Sequence, residues 1–279
     1  MRTIIAGNNK LACDVLEWLI KNHKEDVVGI VAENRDMTKE DVGWEKPLTE
    51  TAGKISKEYK IPLYIGNISI FAAKIKALSP DIISPCRHKG LVKKSILDIP
   101  RIIDANTGTR CCTNLHYGAL PRYGGMSPGF WAIRNGEKKI GVTFQYMENE
   151  FDTGPVLDQR FIDITEGRKV LRLPGRKIIV KGMTDFDIYQ RCNELALQMY
   201  KENYPLIASG KARLKKQELS KRLYYTISQT DNAKREIIDI EKSSDEEISA
   251  YARSRYFPFF GFPKARYKGN KIELRLQEE

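Results

Sequence analysis

Asn114-Leu115-His116-Tyr117-Gly118-Ala119-Leu120-Pro121-Arg122-Tyr123 opens the stretch that decides how this chain reads, and Phe151-Asp152-Thr153-Gly154-Pro155 closes it. Asn114 and His116 are one residue apart, so on an extended strand end their side chains point to the same face. An amide and an imidazole on one face can polarise a carbonyl and move a proton. Asp152 follows on a turn bounded by glycine and proline, where a carboxylate can orient the ring. Spacing alone does not make these residues catalytic, because a histidine beside a turn is commonly a satisfied surface or core side chain.

Outward from this stretch, apolar strands alternate with amphipathic helices. Residues 2–6 read as a buried strand, Gly7-Asn8-Asn9 as a turn, 11–22 as a helix and 27–32 as a second strand. Such a strand, helix, strand start argues for a βαβ unit and a parallel sheet. The turn lacks Gly-x-Gly-x-x-Gly, so dinucleotide binding is not expected. Asn8 nonetheless sits at the carboxyl end of the first strand, where open α/β sheets bind ligands. Residues 33–47 are polar around Trp44, which either caps the core or walls a pocket. Helices are expected over 48–59 and 71–78, and strands over 62–64 and 81–84.

Past His116, a strand over 139–147 delivers residues 148–152 as a loop, and 155–164 continues the sheet as an antiparallel edge. Pro174-Gly175 reads as a hairpin turn inside the basic segment 167–181, and 185–207 as a long helix. After Gln217 the composition shifts. Ser243-Ser244-Asp245-Glu246-Glu247 gives a cap and acidic first turn to a helix over 245–253. An aromatic run follows over 256–262, then a hairpin with a Gly-Asn turn over 265–274. The fold class is therefore α/β, with a Rossmann-like, mostly parallel sheet over residues 1–214 and a small C-terminal α+β region over 215–279.

The chain has 279 residues, enough to bury a large core. Its five cysteines lack any paired Cys-x-x-Cys spacing, which fits reduced, buried thiols and no metal site. Thr3-Ile4-Ile5-Ala6-Gly7 is too short an apolar run for a signal peptide or a membrane span, so a cytoplasmic protein with no membrane partner is expected. The net charge of +11 is concentrated: residues 166–181 and 211–222 each carry six Lys or Arg against one Glu. These are either two solvated faces or a positive field for a phosphorylated ligand or an RNA.

The ordered motifs Asn-x-His at 114–116, Leu-Pro-x-Tyr-x-Gly at 120–125, Trp131-Ala132-Ile133, Gly141-Val142-Thr143 and Asp152-Thr153-Gly154-Pro155 resemble the formyltransferases that use N10-formyltetrahydrofolate. Several separated motifs in order are far more specific than one short motif. The resemblance implies that Asn114, His116 and Asp152 are catalytic and that N10-formyltetrahydrofolate is the co-substrate, with no metal. It implies that the folate is held along Cys86, Arg87, Gly90 and Leu91, and along Met147, Glu148, Asn149 and Glu150. His88 qualifies for chemistry by residue type alone and reads better as an exposed side chain in a basic loop. No covalent enzyme intermediate is required, and no cysteine is placed by motif as a nucleophile.

The acceptor is left open by the resemblance. Methionyl-tRNA formyltransferases carry a C-terminal domain, yet a tail of 65 residues is short for it. Glycinamide ribonucleotide formyltransferases usually lack such a tail. The loop Gly124-Gly125-Met126-Ser127-Pro128, the Gly43-Trp44 pattern with Leu48 downstream, and the aromatic run at 256–262 look more like the nucleotide-sugar N-formyltransferases. That likeness implies a nucleotide-linked amino sugar as partner, with Asn8, Trp44, Gly125, Met126, Ser127 and Tyr224 as its contacts and a place in lipopolysaccharide biosynthesis. Nucleic acid is then not the expected substrate, and a homodimer is one open assembly. The alternatives are methionyl-tRNA formylation and a non-catalytic basic RNA-binding relative. Gly124 stands where many family members have Arg, and the loops at 86–92, 105–113 and 167–181 are longer than the family pattern.

Overall fold

The computed structural model describes residues 1–33, 48–86 and 91–278. Along the chain the first eight strands are β1 (Thr3–Gly7), β2 (Val27–Ala32), β3 (Leu63–Ile65), β4 (Ile82–Cys86), β5 (Thr113–His116), β6 (Gly124–Gly125), β7 (Lys139–Tyr146) and β8 (Val156–Asp163). The chain forms two compact units, each assembled from three separate stretches.

The first unit comprises residues 1–116, 142–159 and 193–221. Its centre is a parallel sheet in the order β3-β2-β1-β4. Every residue of β1 is buried, as a strand covered on both faces requires. The helix Lys10–His23 connects β1 to β2 and buries Leu11, Val15, Leu16 and Leu19 along one stripe. Its start is set by Asn9, whose side-chain oxygen accepts from Ala12 N at 3.1 Å. The helix Leu48–Tyr59 then leads into β3.

Ile4, Ala6, Val31, Ile75, Ile83, Ile96 and Cys112 form one apolar cluster of this unit. Two phenols from the helix Asp185–Ala208 reach the sheet and find partners there. Tyr204 Oη lies 2.8 Å from Thr3 Oγ1, and Tyr200 Oη lies 3.1 Å from Ser84 Oγ. A buried hydroxyl without such a partner would cost about 1–3 kcal/mol.

A parallel bridge between Ile83 and Cys112 sets β5 beside β4. β5 also pairs with β7 in the order β5-β7-β8, antiparallel, with Asn114 opposite Gln145 and His116 opposite Thr143. This register decides which side chains share a face with the Asn-x-His pair.

The second unit comprises residues 117–141, 160–192 and 222–279. The basic hairpin forms as expected, from β9 (Arg168–Leu173) and β10 (Arg176–Lys181) around Pro174-Gly175, with Gly175 at φ +77°. β11 (Tyr224–Tyr225) pairs in parallel with β6. β12 (Lys264–Tyr267) and β13 (Asn270–Glu273) make the last hairpin, and β14 (Leu276–Glu278) adds to β9. Leu171, Ile178 and Val180 on the basic hairpin pack with Ile240, Ile248, Ala265 and Leu276. Lysine and arginine on the other face leave those apolar residues free to form a core.

One local expectation is corrected here, and one element is new. The final hairpin turns on Lys268-Gly269 and not on Gly-Asn, because Asn270 already pairs with Tyr267. Lys268 and Gly269 both have positive φ, +47° and +79°, as the tightest two-residue hairpin turns demand. A helix not anticipated from the composition, Ile227–Arg235, opens on a capping box between Thr226 and Gln229.

Candidate active site

β5 carries Asn114 and His116 on one face, with Thr113 and Leu115 buried on the other. His116 Nδ1 lies 3.5 Å from Asp152 Oδ1, and both side chains are only 10% exposed. The structure therefore brings His116 and Asp152 together, with Asn114 on the same strand face as His116. Asp152 reaches the ring from the loop after β7, with its backbone in the left-handed region at φ +58°. Gly154 permits that loop: a Cβ there would stand 1.8 Å from the carbonyl oxygen of Tyr146. Tyr146 N in turn donates to Pro155 O at 3.0 Å and closes the loop at its base.

Two neighbours on β7 complete the face; the sequence reading has Thr143 in a motif but names neither as a site residue. Gln145, opposite Asn114, donates from Nε2 to Asp152 Oδ1 at 3.2 Å. Thr143, opposite His116, receives the Gln159 Nε2 donor at 2.8 Å on its Oγ1. The one signal for Gln145 is its period-two spacing from Thr143 along an expected strand, which carries no chemistry until the register is known.

Asn114 Oδ1 is buried with no hydrogen-bond partner among the described residues, and so is Asn8 Oδ1. An unmet buried acceptor costs about 1–3 kcal/mol, so each is open to a donor from beyond the described residues. Asn8 directly follows β1, whose Gly7 pairs with Cys86 at the end of β4. Any side chain at Gly7 would meet Cys86 O at 2.9 Å. Asn8, Cys86, Asn114 and His116 thus occupy the carboxyl edge of neighbouring strands, the side on which open α/β sheets take ligands.

The expected folate contacts are only partly described. Cys86 is buried, and Leu91 is exposed beside Val92, a member of the cluster against which Met147 packs. Met147 N donates to Cys112 O at 2.6 Å. Glu148 accepts from Thr109 Oγ1 at 3.3 Å, Glu150 O accepts from Thr153 Oγ1 at 3.2 Å, and Asn149 is exposed between them. Trp44, Arg87, His88 and Gly90 lie outside the described residues. Burial pushes the Cys86 and Cys111 thiols up to about 12, and raises Cys112 as well. None of the three offers a thiolate nucleophile near neutrality.

The remaining candidates, Gly125, Met126, Ser127 and Tyr224, come together in the second unit. Gly125 pairs with Tyr225, and Met126 N donates to Tyr225 O at 2.9 Å. A Cβ on Gly125 would fall 2.1 Å from that same oxygen, so the strand pair needs glycine there. Ser127, at φ +51°, accepts from Lys234 Nζ at 3.1 Å, and Arg222 stacks over the Tyr224 ring at 4.8 Å. Met126 stays exposed. Among the described residues no group of three His, Cys, Asp or Glu could hold a metal ion, and no helix is long and apolar enough to cross a membrane.

Comparison with known proteins meets this geometry from two sides. A methionyl-tRNA formyltransferase from Clostridioides difficile (strain 630) is 28% identical over 216 residues, which cover 76% of this chain and 61% of that relative. The chain thus spans about three fifths of that relative's length. Among solved structures, the N-formyltransferase from Helicobacter canadensis, in complex with folinic acid and dTDP-3-aminofucose, superposes with a TM-score of 0.71 at 21% identity. It covers 98% of this chain and 87% of that one. A sugar N-formyltransferase from a Shewanella species gives a TM-score of 0.71 at 18% identity, covering 100% and 98%. Residues 2–177 match the family described as formyl transferase, more than half of the chain, and the protein belongs to that family.

Proposed function

We propose that the protein transfers a formyl group from N10-formyltetrahydrofolate to the amine of a nucleotide-linked amino sugar. The observation that carries the transfer chemistry is the pairing of His116 Nδ1 with Asp152 Oδ1 at 3.5 Å, with Asn114 on the same strand face. The unmet Asn8 and Asn114 oxygens suit a co-substrate that brings its own N–H donors. The Helicobacter canadensis protein, crystallised with folinic acid, supports a folate as that co-substrate.

In this reading the acceptor nitrogen attacks the formyl carbon, and the formyl oxygen becomes an oxyanion. The Asn114 amide N–H donates to that oxygen, a contact worth about 10²–10³ in rate in comparable oxyanion sites. His116 Nε2 takes the proton that the amine loses as its new C–N bond forms. Asp152 accepts from the Nδ1–H and keeps the ring in the tautomer whose Nε2 is free to do so. When the bond from formyl carbon to N10 breaks, the proton passes from His116 to N10, and tetrahydrofolate leaves. Burial of both His116 and Asp152 keeps water from competing with the amine.

An amino sugar is supported as acceptor by the likeness of fold. The sugar enzyme from Shewanella superposes at a TM-score of 0.71, against 0.58 for a methionyl-tRNA formyltransferase from Clostridium thermocellum, and both match over the whole of this chain. The sequence identity to the Clostridioides difficile relative and the net charge of +11 favour the second reading, formylation of methionyl-tRNA. The separating experiment offers the purified protein N10-formyltetrahydrofolate with a panel of nucleotide-linked 3-amino and 4-amino sugars, and in parallel with charged initiator tRNA. Tetrahydrofolate release with a sugar nucleotide supports the first reading; release with tRNA alone supports the second.

A further inference from the structure

Asp152 is held from behind by a residue that belongs to none of the motifs. Gln217 Nε2 lies 3.1 Å from Asp152 O, 2.6 Å from Gly154 O and 3.3 Å from Gln145 Oε1. Three carbonyl oxygens around one position require a donor there, and an amide nitrogen supplies two hydrogens. With the Gln217 nitrogen so placed, Gln145 must turn its own carbonyl toward Gln217. Its Nε2 is then the end that faces Asp152 Oδ1, at 3.2 Å. That oxygen is the one facing His116 Nδ1. The orientation of one amide is thus handed to a second amide, then to the carboxylate and the ring.

The segment that carries Gln217 is pinned close by. Lys215 N donates to Val156 O and Val156 N donates to Lys215 O, both at 2.8 Å, and Leu214 is buried. The loop bearing Asp152 has reason to need this support, because a non-glycine residue at φ +58° persists only where its surroundings over-determine it.

We propose that Gln217 is a positioning residue for the Asp152–His116 pair and acts through Gln145 as a hydrogen-bond donor. The kinetic arm of its test rests on the formyl-transfer reading above; the spectroscopic arm does not. Gln217→Glu keeps the size and shape of the side chain but replaces the donor with oxygen facing three oxygens. Its kcat should fall about ten- to hundredfold, as expected for losing a hydrogen bond that orders a charged group, with the KM for the formyl donor unchanged. Imidazole nitrogen-15 spectra of His116 should show one Nδ1–H tautomer in the wild type and a mixture of tautomers in the variant. If Glu disturbs folding, Gln217→Ala is to give the same two signals. The double variant Gln217→Ala with Gln145→Ala should be no slower than the worse single variant, because the two residues act in series. A fall in kcat with unchanged His116 spectra, fully additive losses, or unchanged kcat would each overturn the proposal. A wild type that transfers no formyl group would count against the proposed function, and the His116 spectra would then decide the role of Gln217 alone.

Discussion

Asn114 and Gln145 stand directly opposite each other on antiparallel strands, so an amide from each strand faces the loop that carries Asp152. Asn114 Oδ1 has no partner among the described residues, while Gln145 Nε2 donates to Asp152 Oδ1. Of two like side chains on one face, Gln145 is bonded to the loop that carries Asp152, and Asn114 is the one to which the proposed function gives a part in the reaction.

Replacing His116 with Asn removes proton transfer but keeps a polar side chain of similar bulk. Turnover should drop by about 10²–10⁴, with a thermal midpoint close to that of the wild type. Near-normal turnover would remove His116 from the mechanism. Asn114→Ala should cost about 10²–10³ in single-turnover rate. A loss confined to donor affinity would make Asn114 a folate-positioning residue instead.

Gly154→Ala places a methyl group 1.8 Å from Tyr146 O, a backbone atom that cannot swing away. The loop must shift, and Asp152 with it. The expected result is a lower kcat together with a stability loss of more than about 1 kcal/mol in a denaturant titration. An Ala variant with wild-type kcat and stability would mean that the loop tolerates displacement.

Trp131 stacks on Tyr225 at 4.2 Å with 15° between the rings and donates from Nε1 to Thr230 Oγ1 at 3.0 Å. Trp131→Ala loses both contacts within the second unit. The cost should be about 1–3 kcal/mol, read from the unfolding midpoint in urea. No change would show that this aromatic pair carries no stability of its own.

Asp81 gives the clearest pH dependence. Burial pushes its carboxyl up, but Arg2 N at 2.8 Å and the Arg101 guanidinium outweigh that and hold it below the usual carboxylate range. A depressed carboxylate adds stability at pH values above its unfolded pKa of about 4, and that stability disappears as pH falls through the folded value. Asp81→Asn should therefore be less stable than the wild type at pH 7, with the gap closing below about pH 4. A constant gap across that range would contradict the assignment.

Much of this was legible in the sequence where the signal is local. The helix Leu48–Tyr59, the strand Val27–Ala32 and the Pro174-Gly175 hairpin follow from periodicity and turn chemistry within a few residues. Asn114, His116 and Asp152 stood out because spacing and motif order place them. Gln145 and Gln217 did not, since their role depends on a strand register and on a hydrogen bond across 65 residues of sequence. The helix Ile227–Arg235 had a readable start in Thr226-Ile227-Ser228-Gln229, but its first turn carries no acid and its apolar stripe is thin. The last turn was misread because Gly269-Asn270 looks like a hairpin dipeptide, while the strand pairing places the turn one residue earlier.

The most direct test of the account is a formylation assay on purified protein with N10-formyltetrahydrofolate and individual nucleotide-linked 3-amino and 4-amino sugars. Product is to be read by mass spectrometry and coenzyme by tetrahydrofolate release. At least one sugar nucleotide is expected to gain a formyl group, with His116→Asn slowing the gain by about 10²–10⁴. Efficient formylation of methionyl-tRNA with every amino-sugar nucleotide inert would contradict it.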